Sequence, residues 1–558
     1  DTVRYLHGNH SFAFGGEIRR FYNNNFALDT GSFNYGNICN FMADSVVTFT
    51  GGVPSSPCAG APAGGTTTNN NFSINLSNGA SKILEPAIGL FAEDSYKIRP
   101  NITLELGLRY DYNNLITDSN NRFVEFIPTS VSLVQVGTNG LSQEYRPDKK
   151  NFGPRVGIAW DPWGDGKTSV RAGYAILYDQ PVSGIVTGMT LNPPFGDPLT
   201  FNGTIGLSNA VVTAGPAGLA PSTTFAGFHD PYVQSYNLTL QRQVSSSLGF
   251  QVGYVGSKGT HLRLARNLNQ PAIGQDIGGT NPPPLLPFTA LSASSPIRPG
   301  ANLGNITEID SSGNSNYNAL WVTANKRFAT GLQFNASYTY SKSLDYNSLS
   351  SQGVTLEDST NPRLNYGPSD FDARNRFVIN AIYDLPFKGN RLISGWELGA
   401  ISQAQSGNPL TIVFNNTTAT GNRTLRPDAS GPIVTEHVAA TGAKGIQWIP
   451  NPGVLSAPSV PGANGGQIFH FGNVGRNSII GPTFVNTDFS VIKNTKITER
   501  INSEFRVEAF DIFNHPNFGN PNLVFGSNAN FGLITNTRFS TGDFGSARQL
   551  QLALKLEF

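Results

Sequence analysis

The carboxy-terminal stretch Ala547 to Phe558 puts Leu550, Leu552, Leu554, Leu556 and Phe558 on one parity. Gln549, Gln551, Ala553, Lys555 and Glu557 fall on the other. A helix would scatter those leucines around its axis, whereas a strand collects them on one face. The same two-residue rhythm recurs upstream. Leu104, Leu106, Leu108, Tyr110 and Tyr112 alternate with Thr103, Glu105, Gly107, Arg109 and Asp111, and Leu332, Phe334, Ala336, Tyr338 and Tyr340 alternate with Gln333, Asn335, Ser337 and Thr339. Counting such segments predicts about fourteen strands. They run 10–22, 87–98 with 102–113, 152–161 with 168–179, 232–243 with 250–259, 317–328 with 332–342, 374–385 with 396–415, 487–495 with 503–513, and 547–558. A bulge is expected at Gly407-Asn408-Pro409 inside the strand that begins at Trp396.

The connections alternate as strictly as the side chains. Tight turns such as Arg99-Pro100-Asn101 and Ala329-Thr330-Gly331 are followed by loops of roughly thirty to seventy residues, rich in Gly, Pro, Asn and Ser. A sandwich or propeller gives no reason to sort loop length by parity. A barrel that crosses a membrane does, with short turns on one rim and long loops on the other. In hydrocarbon every backbone N–H and C=O must be paired, so a crossing sheet has to close on itself. The Leu/Tyr/Phe parity would then face lipid, and the Gln/Asn/Thr/Arg/Glu parity a wet interior. Tyr110, Tyr112, Tyr178, Tyr338 and Tyr340, near strand ends, suit an interfacial belt. The expected fold is therefore all-β, an antiparallel transmembrane β-barrel.

Composition narrows the picture further. The 558 residues are balanced at a net charge of +1, with 38% hydrophobic and only 13% charged residues. No apolar run approaches the length of a membrane-crossing helix. The near-zero charge and lack of a basic stripe argue against a nucleic-acid partner. The two cysteines, Cys39 and Cys58, lie in one Asn/Gly/Pro/Ser-rich stretch without the further Cys or His that a metal site needs. A loop disulfide in an oxidising compartment is the better reading, and two free thiols the alternative.

Several segments, taken in order, resemble the barrel of TonB-dependent outer-membrane transporters, specifically the Oar-like branch. They include "LFAEDSYKIRPNITLELGLRY" (90–110), "NFGPRVGIAWDPWGDGKTSVRAGYAILYD" (151–179), "YNALWVTANKRFATGLQFNASYTYSKSLD" (317–345), "GWELGAISQAQSGNPLTI" (395–412) and "FRVEAFDIFNHPNFGNP" (505–521). The resemblance runs nearly end to end and is weakest in the long loops. It implies a 22-stranded barrel in a bacterial outer membrane, of which residues 1–558 would be the C-terminal portion. The N-terminal plug, the segment that contacts TonB and the regulatory-like domain of that branch lie outside this sequence. Phe558, as a terminal aromatic, would be part of the signal read by the barrel-insertion machinery.

The resemblance also implies the partners: outer-membrane lipid, a large or scarce solute captured by the loops, and TonB only through the N-terminal region. Two other readings stay open, a surface or adhesion barrel without transport and a self-contained fourteen-stranded passive channel. Nothing points to an enzyme, a cofactor or a bound metal. No nucleophile elbow, Walker loop or His-Glu-x-x-His motif occurs, and the histidines show no ligand spacing. Ser369-Asp370-Phe371-Asp372 is expected to cap a loop rather than hold a cation. On the wet parity, Glu105, Arg109, Arg171, Arg506 and Glu508 could line a solute path or seat a plug, with cross-strand pairing the alternative for each.

Overall fold

The computed structural model describes residues 1–25, 32–35, 38–44, 46, 49–50, 53–54, 70–77, 80–203, 219–274, 286–349, 353–414, 425–440, 445–462, 467–526, 530–538 and 547–558. Fourteen antiparallel pairings join fifteen strands in sequence order. These are β1 (Thr2–His7), β2 (His10–Asn25), β3 (Ser81–Arg99), β4 (Ile102–Asn113) and β5 (Asn151–Trp160). Next come β6 (Thr168–Tyr178), β7 (Tyr232–Gln243), β8 (Leu248–Asn267), β9 (Thr307–Ala329) and β10 (Leu332–Asp345). The series ends with β11 (Asn375–Asp384), β12 (Trp396–Gln405), β13 (Phe484–Lys496), β14 (Asn502–Phe510) and β15 (Gln549–Glu557). Each strand pairs with the next. Among the described residues β1 and β15 are not paired with each other.

Three details differ from the sequence reading. Strand β1 was not expected; it turns through Gly8-Asn9 into β2, with Gly8 at φ 58°, a backbone that glycine adopts without strain. Strands β8 and β9 run well past their expected loop-side ends. At about 3.3 Å per residue and ~45° tilt, β9 rises to roughly 55 Å, about twice a ~25 Å apolar band. The predicted 396–415 strand is also corrected. It stops at Gln405, and Pro409–Leu410 then pairs with Ile479–Ile480, while Val413–Phe414 runs parallel to Val524–Phe525. Gly407-Asn408-Pro409 is the exit from the wall rather than a bulge in it. A side chain at Gly407 would collide with the carbonyl oxygen of Gly481, so the crossing of these two segments requires glycine.

The two faces of the wall are chemically distinct. Leu106, Leu108, Leu238, Leu240, Leu320 and Leu552 stand exposed on the outer face, with Leu238 at 53% and Leu552 at 69%. Such side chains in water would be an aggregation hazard, and in hydrocarbon they are the solvent-facing surface. Dry cores form instead at the loop end. One gathers Ile83, Ile116, Phe123, Tyr145, Met189 and Phe228, a second Val124, Phe126, Leu133, Leu291 and Leu303, and a third Ile412, Ile449, Leu455, Val474 and Ile479. The loops are thus packed bodies carried on strand extensions.

Candidate functional site

The inner wall carries charges that neutralise one another. Arg109 on β4 donates from Nε to both Asp111 oxygens at 2.9 Å and reaches Glu17 on β2 through Nη2. Arg19 joins the group, 3.3 Å from Glu17. Gly89 lies under this cluster, where any side chain would displace the Arg109 guanidinium. One level nearer the short turns, Arg155 on β5 approaches Glu93 on β3 at 3.3 Å, and Ser95 donates to Glu105 at 2.8 Å. A recess of about 260 Å³ lies among Glu93, Glu105, Arg155, Gly157, Gly173 and Asn237. Its glycines keep the wall thin enough for the long charged side chains to lie along it.

Across the sheet, Arg506 on β14 sits between Glu504 at 3.0 Å and Glu508 at 3.5 Å. A second recess, about 440 Å³, has Ile382, Ile401 and Ile492 in its lining together with Glu397, Asp488 and Glu508. The five wet-parity residues singled out from the sequence therefore separate into two groups on different parts of the wall. Arg109, Arg506 and Glu508 are ion-paired, and Glu105 accepts a hydrogen bond. Arg171 on β6 is exposed and forms no ion pair with a described residue. Phe558 follows β15 at the short-turn end and is 90% exposed. Cys39 is disulfide-bonded; Cys58, the sequence's other cysteine, lies outside the described residues.

The larger polar apparatus is at the loop end, where sequence patterning is silent. Arg426 and Glu357, both buried, meet at 2.5 Å. The Arg426 guanidinium also donates to the carbonyls of Val474 and Leu364 and to Asn365 Oδ1. Burial raises the Glu357 carboxyl to about 7 even against the pull of Arg426. Arg476 donates to Asp345 Oδ1 at 2.7 Å, Ser348 Oγ at 2.8 Å and Asp370 Oδ1 at 2.9 Å. In the same loop Asp372 accepts from the Ser343 N–H at 2.8 Å. The Ser369–Asp372 cluster thus shapes a loop and takes Arg476 as its counter-charge.

Further round, Asn267 N–H donates to Ser359 Oγ and Ser359 N–H to Gln270 Oε1. Segment 353–366 therefore connects the loop after β8 with the loop after β12. At the mouth, Asp230 Oδ2 accepts from Asn113 of β4 at 2.9 Å and Asn151 of β5 at 2.7 Å, and burial raises its carboxyl to about 6. Beneath the first two dry cores, Glu125 and Glu144 are almost wholly buried. Burial, reinforced by Glu144, pushes Glu125 up to about 8, and burial pushes Glu144 up to about 7. The described parts of the loops after β4, β6, β8, β10 and β12 are hydrogen-bonded into one cap at the loop end of the wall. The sequence signal that could have found it is weak: isolated Arg, Glu and Asp in otherwise uncharged loops.

A sheet with an apolar outer face, an ion-paired inner face, short turns at one rim and packed loops at the other is an outer-membrane β-barrel. The chain belongs to the outer membrane beta barrel domain family, whose model matches residues 1–551. Its place is the bacterial outer membrane, with the short turns periplasmic and the cap outside, and the family is one of membrane barrels, not enzymes. Among solved structures the chain is similar to the outer membrane transporter YddB from Escherichia coli, at 12% identity and TM-score 0.50, covering 100% of this chain and 52% of that one. It is also similar to the siderophore receptor PiuA from Acinetobacter baumannii (11%, TM-score 0.43, 100% and 54%). A third is the ferripyoverdine receptor of Pseudomonas aeruginosa (12%, TM-score 0.43, 100% and 47%). At these identities the likeness is one of fold. The chain spans about half the length of these structures. By sequence, no curated protein matches it.

Proposed function

We propose that the chain is the C-terminal part of the barrel of a TonB-dependent receptor of the Oar-like kind, which takes up a large or scarce solute held first by the loop cap. The observation that carries this reading is the cap itself. Buried ion pairs and three dry cores lock the loops over the mouth of a charged wall, which suits recognition before passage better than an open pore does. Among the described residues β1 and β15 are not paired with each other, and an unpaired strand edge is costly in hydrocarbon, which supports a wall completed by further strands. Fifteen strands ending at the periplasmic rim would be the last fifteen of twenty-two. That makes β1 an even-numbered strand running toward the periplasm, as its Gly8-Asn9 turn requires.

On this reading a plug from the preceding sequence rests against the inner wall, where Glu105, Arg109, Arg171, Arg506 and Glu508 line the solute path or the plug's seat. TonB acts on that N-terminal region. A Cys39–Cys58 disulfide ties the first loop, and Phe558 is read during insertion. The test is solute uptake by the intact gene product in cells with and without TonB. Uptake lost without TonB supports the reading. Cell or matrix binding with no uptake supports an adhesion barrel. Steady conductance by residues 1–558 alone in a planar bilayer supports a passive channel.

A further inference from the structure

We propose that the solute is a neutral, polyhydroxylated one, an oligosaccharide, which binds along an uncharged panel of the inner wall centred on Trp321. This rests on the uptake reading and names its solute class.

Strand parity defines the panel. The cross-strand register puts the odd-numbered residues 233–243 of β7, 249–259 of β8, 315–325 of β9 and 333–343 of β10 on the lumen side, in line with Arg171 of β6. None of them is charged. Charge stands on the inner wall to either side, from Glu17 on β2 to Arg171 on β6 and again from Arg376 on β11 to Glu508 on β14. Four strands about 4.8 Å apart, with ten residues of each at about 3.3 Å, make a panel roughly 19 by 33 Å. Several sugar rings fit on it.

The panel is polar without being charged. Asn237, Gln241 and Gln333 are exposed and make no side-chain hydrogen bond among the described residues, while Asn335 donates amide to amide to Asn325. Each free amide offers donors and an acceptor at once. A charged solute would meet no counter-charge here, and an apolar one would strip the amides of water and give nothing back. Hydroxyl groups return both a donor and an acceptor. Trp321 supplies the apolar complement. A Cβ at Gly253 would lie 2.5–2.7 Å from Cε2, Cζ2 and Nε1 of the indole, so the ring lies across the glycine and along the wall. The ring is half-buried, and its lumen face carries no aromatic ring or cation among the described residues. Such a flat, broad surface takes the C–H face of a sugar ring and leaves the sugar's hydroxyls to the amides around it. Tyr317, four residues nearer the cap on the same face, continues the aromatic line toward the mouth.

The test uses the intact gene product, purified in mild detergent, and measures binding of maltoheptaose, cellohexaose and xylohexaose by saturation-transfer NMR. At least one should bind. Trp321→Ala should weaken it about tenfold, and Trp321→Phe no more than about threefold. Trp163→Ala, which removes a ring from a periplasmic turn, should leave the affinity unchanged. Hexagalacturonate, of similar length but anionic, should bind about tenfold more weakly or worse. Heat-dependent gel mobility checks that each variant is folded, and Gln333→Leu, with an expected loss of about fivefold, gives the answer if W321A is not. Three outcomes overturn the proposal: no binding of any of the three sugars, unchanged affinity in the folded panel variants, or equal binding of hexagalacturonate. Binding needs no TonB, so a failed binding assay leaves the uptake reading standing, and a failed uptake assay does not alter the binding result.

Discussion

Replacing Glu125 by Gln should stabilise the loop cap at alkaline pH and leave it almost unchanged in acid. Glu125 lies on a short strand, Val124–Ile127, paired with Ser132–Gln135, and is 4% exposed. One carboxyl oxygen accepts from Thr223 Oγ1 at 3.3 Å, and the other finds no partner among the described residues. Burial first, then the charge of Glu144 and more weakly that of Glu308, raise the group to about 8 from an ordinary 4.5. A raised carboxyl stabilises the fold while it is protonated. Its contribution is complete below about 4.5 and is lost as pH climbs from there through about 8. The interval corresponds to about 5 kcal/mol at ~1.36 kcal/mol per pH unit, an upper bound. Relaxation and water entry bring the realistic loss to on the order of 2–3 kcal/mol. Glutamine keeps the shape and the acceptor without the charge. Amide hydrogen exchange over 124–135, corrected for intrinsic rates, should show the wild-type cap opening more readily at pH 8 than at pH 5. E125Q should be flatter, with the residual slope belonging to Glu144, and E125Q/E144Q flatter still. If E125Q keeps the full wild-type slope, or if wild-type protection rises with pH, the reasoning fails.

Two other predictions test different parts of the molecule. Leu238→Arg, on the outer face five residues from the periplasmic end of β7 at Gln243 (243 − 238), should cost about 2–4 kcal/mol in lipid vesicles. Asn237→Arg, next door but facing the lumen, should cost under about 1 kcal/mol. Denaturant unfolding of the inserted barrel measures both, and equal costs would contradict the assignment of faces. Arg426→Met leaves Glu357 buried without its cation and should destabilise the cap by about 3–5 kcal/mol, with E357Q/R426M recovering part of the loss. Protease sensitivity of segment 425–480 reads the effect, and a resistant single variant would contradict it.

The wall was legible because most of its strands set an apolar face against a polar one, a contrast that a two-residue rhythm writes into the sequence. Where that contrast ends, so did the reading. The loop-side end of β9, from Thr307 to Asn314, carries one large apolar residue, Ile309, and is covered on both faces, with Glu308, Ile309, Asp310 and Ser311 all buried. It gives no alternation, and the expected strand began ten residues later (317 − 307). Strand β1 is a six-residue segment, too short to count as a pattern. The 396–415 segment failed for another reason. Its apolar residues beyond Gln405, half-buried Leu410 and buried Ile412, pack into the cap rather than facing lipid, and composition does not distinguish those destinations. Wall charges were found by parity alone. The Arg426–Glu357 and Arg476–Asp345 pairs were not, because they join residues 69 and 131 positions apart through loops with no period.

Segment 353–366 has a consequence for how such a receptor can diverge. It bonds to the loop after β8 through Ser359 and to the loop after β12 through Asn365, so neither neighbour is an independent module. Recognition on this exterior should therefore change by concerted sets of substitutions spread over several loops. Swapping a single loop from a relative would import a new surface and break its neighbours' footing.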